Sequence, residues 1–212
     1  DTVGMPEVEY KAFADYEAMA DKHEYIDAIK VSKGDKRSIA KALAVYSGFT
    51  EGLQLFSSFI ILLNFPRFGK MKGMGQIITY SIRDESLHVE AMTKLFREFI
   101  QENIDIWDDE FKAEIYQACR EMVTLEDRFL ELVFEEGDIE GLTQAEMQEY
   151  IRYIADRRLL QLGLKPNYDI KNNPLNWLDD VLGVEHQNFF EGRATTYMKA
   201  GMRGDVNKVS FV

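Results

Sequence analysis

Arg83-Asp84-Glu85-Ser86-Leu87-His88 is the stretch on which the reading of this chain turns. It sets a carboxylate and an imidazole three residues apart inside a strongly apolar helical pattern. Glu-x-x-His at (i, i+3) puts both side chains on one face of an α-helix. Half-sites of this kind build carboxylate-bridged dinuclear metal centres inside four-helix bundles. Positions 81, 85, 88, 92, 95 and 99 are Ser81, Glu85, His88, Met92, Leu95 and Phe99. Their alternating 4/3 spacing is that of a bundle seam, where apolar residues are expected throughout. An unpaired charge in the middle of such a seam would cost several kcal/mol. A metal ion removes the objection, because it partners both the carboxylate and a neutral imidazole nitrogen.

The preceding apolar segment carries a second acid. From Glu51, helical steps reach Leu55, Ser58, Phe59 and Leu62, and Leu43, Ala44 and Ser47 come before it. Glu51 is a lone acid on an apolar face. Two such helices packed antiparallel would bring it near Glu85 and His88. Mixed carboxylate and imidazole ligands suit iron or manganese, and such a site can activate dioxygen. Solvation, or pairing of the acids with Lys or Arg, is the competing reading. The chain holds one Glu-x-x-His and a complete site needs two, so the sequence reads as part of a metalloprotein. His23, between Lys22 and Glu24, reads as surface. His186, between Glu185 and Gln187, reads as exposed or interfacial.

Composition sets the outer limits. The 212 residues are 46% hydrophobic and 29% charged, an ordinary globular balance large enough for one sizeable core. A net charge of −12 argues against a nucleic-acid surface, which needs a basic patch. It also leaves no basic amphipathic segment for a membrane surface. No run reaches the ~18 uninterrupted apolar residues of a membrane span. The longest, Phe56 to Phe65, is broken by Ser57, Ser58 and Asn64 and reads as a helix buried on all sides. The single cysteine, Cys119, rules out an internal disulfide framework, fits a reducing cytoplasm and reads as a small buried hydrophobe.

With four prolines in the chain, long helices are available. Pro6 opens the first, with Tyr10, Phe13, Tyr16, Met19, Ala20 and His23 along one side. Ser32, Lys33 and Gly34 break the pattern. A second helix runs from about Asp35 to Asn64, with Pro66 marking its end. A third spans the Gly69–Gly75 region to about Asn103. A fourth runs from about Asp108 to Glu136, with Ile115, Cys119, Met122, Leu125, Phe129 and Leu132 as its stripe and Gly137 as C-cap. Thr143-Gln144-Ala145-Glu146 has the form of a capping box for a fifth, ending near Gly163. Asn173-Pro174 reads as N-cap and N1 of a short helix carrying Trp177 and Leu178. Strand alternation is nearly absent, so the fold class is all-α.

Taken together, these residues resemble the small, radical-generating subunit of class I ribonucleotide reductase. The motif at 83–88 is similar to that family's Arg-Asp-Glu-x-Leu-His. Glu51 with Ser58 and Phe59 is similar to the acid-bearing helix before it. Glu136 to Leu142 resembles the family's Gly-x-x-x-Gly-Leu connection. The Tyr150–Gly163 helix with Arg157 and Arg158, then Asn173 to Trp177 and Asn188 to Glu191, complete the series. The resemblance implies a ferritin-like helical bundle, incomplete here and completed by an upstream segment. Residues 1–198 would be the C-terminal part of that domain and 199–212 a flexible tail. It implies that Glu51, Glu85 and His88 are metal ligands, and that Asp84 is an acid on the radical-transfer route that orients a histidine of the absent half. Leu55, Phe59 and Ser81 would lie near the pocket.

The cofactor implied is two metal ions, iron, manganese or one of each. The implied partners are the N-terminal segment of the same subunit, a second small subunit and the large catalytic subunit, with no nucleic acid and no membrane. The family's first acid, its first Glu-x-x-His and its radical tyrosine have no match between Asp1 and Lys36, so Tyr10, Tyr16 and Tyr25 are not assigned. Val209 to Val212 does not resemble the family's acidic, aromatic end, and Tyr197 is the nearest tail tyrosine. Two other readings stand beside this one: another ferritin-like oxidase acting on a small organic substrate, and a non-enzymatic helical scaffold.

Overall fold

In the computed structural model, which describes residues 16–179 and 181, the described residues up to 175 form five helices. They are α1 (Glu17–Asp27), α2 (Lys36–Arg67), α3 (Lys72–Glu102), α4 (Asp109–Val133) and α5 (Gln144–Gln161). A single 3-10 turn at Ile104–Ile106 follows α3. No strand occurs among the described residues; an isolated bridge between Ile139 and Leu142 is the one β-type contact. The all-α expectation holds. The expectations for Pro6, Tyr10, Phe13, His186, Tyr197 and the tail fall outside the described residues. The described residues up to Leu175 belong to one compact unit. The described part of the second is residues 176–179 and 181, all helical.

Local signals place most helix ends. Asp35 starts α2 by accepting from the Arg37 N–H at 3.1 Å. Asp108 starts α4 by accepting from Phe111 N–H at 2.8 Å. The capping box of α5 is complete: Glu146 N–H donates to Thr143 Oγ1 and Thr143 N–H donates to Glu146 Oε2. α4 stops at Val133, earlier than the Glu136 expected. Asn173 accepts from the Leu175 N–H in an Asx turn, and helical residues begin at 176 rather than at Pro174.

Two departures concern α2. Pro66 was expected to end it after Asn64, yet helix continues to Arg67. The stop is Gly69, whose φ of +75° only glycine adopts freely. Lys70 N–H donates to Phe65 C=O at 3.1 Å and Gly69 N–H to Pro66 C=O at 3.0 Å, a Schellman ending. The Pro66 ring then packs on α3, where a Cβ on Gly75 would lie 2.4 Å from Pro66 Cγ. The second departure is a π-helical segment, Val45–Gln54, in the middle of α2. Its i→i+5 register includes Leu55 N–H donating to Thr50 C=O. Apolar periodicity read as ordinary α-helix does not register one extra residue per turn.

This wide segment is the hub of the unit, packing against α3, α4 and α5. Phe49 and Leu53 on it are fully buried, as are Ile60 on α2, Ile115 and Leu130 on α4, and Leu159 on α5. Each such side chain contributes roughly 1.5–3 kcal/mol by leaving water. By length and composition alone the Lys36–Arg67 run could cross a membrane, but 61% of its most apolar window is buried among the other helices. It is the core helix of the bundle.

Candidate metal centre

Glu51 sits on the π segment of α2, and Glu85 and His88 sit one turn apart on α3. The helical hairpin joins them: one ligand-type atom from each lies within 4.8 Å of the other two. Glu85 Oε2 is 3.4 Å from His88 Nδ1. Glu51 is half-buried, and its Oε2 is shielded from solvent with no hydrogen-bond partner. Burial pushes the Glu51 carboxyl above the usual carboxylate range, the Glu85 charge pushes it further, and His88 pulls it back.

These features fit a cation. Two carboxylates converge, one with a buried and unsatisfied oxygen, and an imidazole completes a mixed oxygen and nitrogen donor set. A positive ion would occupy the orphaned oxygen and turn repulsion between the acids into shared attraction.

The seam expected through Ser81, Glu85, His88, Met92, Leu95 and Phe99 is displaced. The buried stripe of α3 is Gly75, Ile82, Val89 and Phe96, in steps of seven, with Thr93 and Ile100 beside it. Glu85 lies at the edge of that stripe, and the His88 side chain is 60% exposed. Both faces of α3 are apolar at heptad spacing, so periodicity does not tell which one meets α2. On α2, the Glu51 face behaves alike: Ser58, Phe59 and Leu62 are half-buried and Leu55 is exposed. The ligand-bearing side is therefore the open side of the unit.

Asp84 is exposed and lies 4.0 Å from the Arg83 guanidinium, outside the three-residue cluster. Ser81 is half-buried. His23 is exposed, as expected. Cys119 is buried, and burial pushes its thiol up to about 12, which leaves it inert.

Periodicity did not reveal two polar groups. Glu126, on α4, is fully buried and pairs with Lys22 Nζ and the Ser57 hydroxyl. Arg158, on α5, is buried and donates from Nε to the Gly52 carbonyl at 2.8 Å, one residue from Glu51. Its neighbour Arg157 is exposed. A charged residue in a core-facing register is the available signal for both, but it names no partner.

A helical bundle in which acids and a histidine converge from two facing helices defines the ferritin-like, carboxylate-rich class. Within that class, the chain belongs to the ribonucleotide reductase small-chain family, whose sequence profile matches residues 1–174. It is 41% identical to a protein of invertebrate iridescent virus 3 named as a probable ribonucleoside-diphosphate reductase small subunit, over 96% of this chain and 59% of the relative. It is 36% identical to the ribonucleoside-diphosphate reductase subunit beta of Chlamydia pneumoniae, over 76% of this chain and 46% of that one. The solved structure of the ribonucleotide reductase R2 subunit from Clostridium botulinum matches with a TM-score of 0.76 and 28% identity, over 82% of this chain and 55% of that one. The chain thus spans about half the length of these relatives. The family is one of dimetal-carboxylate proteins, and a metal cofactor accords with the donor set at Glu51, Glu85 and His88.

Proposed function

We propose that this chain is the C-terminal part of the small subunit of a ribonucleoside-diphosphate reductase, and that Glu51, Glu85 and His88 are its share of the metal ligands. The observation that carries the reading is the approach of three donor atoms to within 4.8 Å, with Glu51 Oε2 left unsatisfied. When bound, two ions of iron, manganese or one of each would supply the oxygen-activating redox chemistry that generates a stored radical. The chain's own residues do the rest. Glu51 and Glu85 balance the cationic charge from opposite helices, and His88 offers a neutral nitrogen.

An upstream segment would bring the remaining acid and the second Glu-x-x-His. Ile77, Tyr80 and Leu87, exposed by 65%, 52% and 65%, flank the site and suit coverage by such a segment. Asp84 projects from this same open stretch of α3, which suits an acid that orients a histidine ligand of the absent half. From there the radical would pass to a large subunit that reduces ribonucleotides to deoxyribonucleotides. A pair of small subunits, a cytoplasmic location, no direct role for nucleic acid or membrane, and a division into residues 1–198 and a tail at 199–212 complete the reading.

Titration with Mn(II), followed by electron paramagnetic resonance, tests it. Glu51→Gln, Glu85→Gln and His88→Ala should each weaken binding about tenfold or more. Binding that is indifferent to all three would overturn the assignment.

A further inference from the structure

Arg158 reaches across from α5 to the one irregular part of α2. Its Nε donates to the Gly52 carbonyl at 2.8 Å, and Nη1 donates to Gln161 Oε1 at 2.9 Å. The guanidinium lies over the Phe56 ring, 5.0 Å from its centroid. The fit is tight on the α2 side: a Cβ on Gly52 would stand 2.6 Å from Arg158 Nε. Gly48, one turn earlier, would place a Cβ 3.9 Å from Arg158 Cβ. Gly52 thus lets the Arg158 side chain lie directly against the π-helical backbone, whereas a Cβ at Gly48 would make only ordinary contacts.

The location matters because π segments are marginal. Where i→i+5 register returns to i→i+4, one carbonyl is skipped by the ladder. A buried carbonyl without a donor is destabilising. Gly52 lies in the last turn of the π segment, which ends at Gln54, and its carbonyl accepts from outside the helix. An outside donor aimed at its carbonyl favours the wide turn over a regular one. Conversion to regular α-helix would rotate Glu51 relative to α3, because each turn would lose a residue.

We propose that Arg158 is a positioning residue that fixes the wide turn of α2 and thereby sets the Glu51 carboxylate against Glu85 and His88. This rests on the reading of Glu51 as a metal ligand. Arg158 touches neither the ligands nor any ion; it acts through the Gly52 carbonyl.

The test compares wild type with Arg158→Met, Arg158→Lys and Glu51→Gln. Arg158→Met keeps an apolar stem against Phe56 and removes the donor. Arg158→Lys restores a donor and a charge. Affinity is read with Mn(II), and coordination geometry from the visible spectrum of bound Co(II) at saturation. Arg158→Met should weaken Mn(II) about tenfold and shift the saturated Co(II) spectrum, with Arg158→Lys in between.

A residue that only packs would lower thermal stability and leave both readouts unchanged, and that result overturns the proposal. If Glu51→Gln weakens binding while Arg158→Met does not, the positioning role alone fails. If neither changes binding, the ligand reading fails and takes this proposal with it. Should Arg158→Met not fold, Arg158→Gln asks the same question, because its shorter side chain removes the Nε donor from the Gly52 carbonyl without touching the α2 backbone. Unchanged affinity and spectrum in that variant are equally fatal.

Discussion

Lys22 on α1 extends to a carboxylate on α4 that has no access to water. Burial raises the pKa of Glu126, and the Lys22 ammonium and the Ser57 hydroxyl pull it back. Lys22→Met should therefore cost about 3 kcal/mol or more in urea unfolding, because it strands a buried charge. The double variant Lys22→Met with Glu126→Met should recover most of that loss. A single variant as stable as wild type would show that Glu126 is neutral in the fold. Glu51 gives a second residue-level expectation. Its folded-state pKa is raised, so the metal-free folded chain holds that proton more tightly than the unfolded chain does. Stability from this group is then present at low pH and lost as pH rises through the range just above the ordinary carboxylate value. Metal-free Glu51→Gln should be more stable than wild type near neutrality, and their urea midpoints should converge on acidification. Saturating Mn(II) should reverse the order. Of these residues, Glu51, Glu85 and His88 were legible because each is polar where the pattern asks for an apolar residue. Lys22 and Glu126 were not, because Lys22 sits among the polar neighbours Asp21, His23 and Glu24, and only the packing of α1 on α4 joins the two.

At the scale of elements, the turn after α4 is fastened to the end of α2. Asn64 Nδ2 donates to Glu140 C=O at 2.8 Å, Arg67 Nη1 to Gly141 C=O at 3.1 Å, and Lys70 pairs with Glu140 at 2.7 Å. Gly141 has a φ of +73°, and a Cβ there would meet Phe68 Cζ at 2.3 Å. Gly137 has a φ of +112°, with nothing within 4 Å of a built Cβ. The two glycines separate strain from crowding. Gly137→Ala should lose about 1 kcal/mol from backbone conformation alone. Gly141→Ala should lose about 2–3 kcal/mol, because overpacking is added. Equal shifts in thermal midpoint would mean that Phe68 swings aside freely. Helix starts at Asp35, Asp108 and Thr143 were legible because a cap is a local hydrogen bond written in adjacent residues. The end of α2 was misread because Pro66 suggests a stop, whereas the Gly69 Schellman turn makes one. The π segment left no trace in periodicity; it is held by side chains of α5, more than a hundred residues along the chain.

At the scale of the whole molecule, the open side of α2 and α3 asks for a partner. The seam through Glu85 and His88 is apolar at Met92, Leu95 and Phe99, and the motif is flanked by exposed Ile77, Tyr80 and Leu87. Sequence alone made this face a buried seam. Among the described residues nothing covers it. Two occupants are distinguishable: an upstream segment carrying further ligands, or a second copy of this chain. The proposed function requires the first. Adding a segment with an acid and a Glu-x-x-His should raise Mn(II) capacity from about one to about two ions per chain. It should also quench binding of a hydrophobic dye such as ANS, as apolar surface is covered. Without the segment, dye binding that persists at concentrations where sedimentation shows dimer would place self-association on another face. A dimer that abolishes dye binding without the segment would assign this face to self-association, and Glu51, Glu85 and His88 would then lie at a subunit boundary rather than inside a completed bundle.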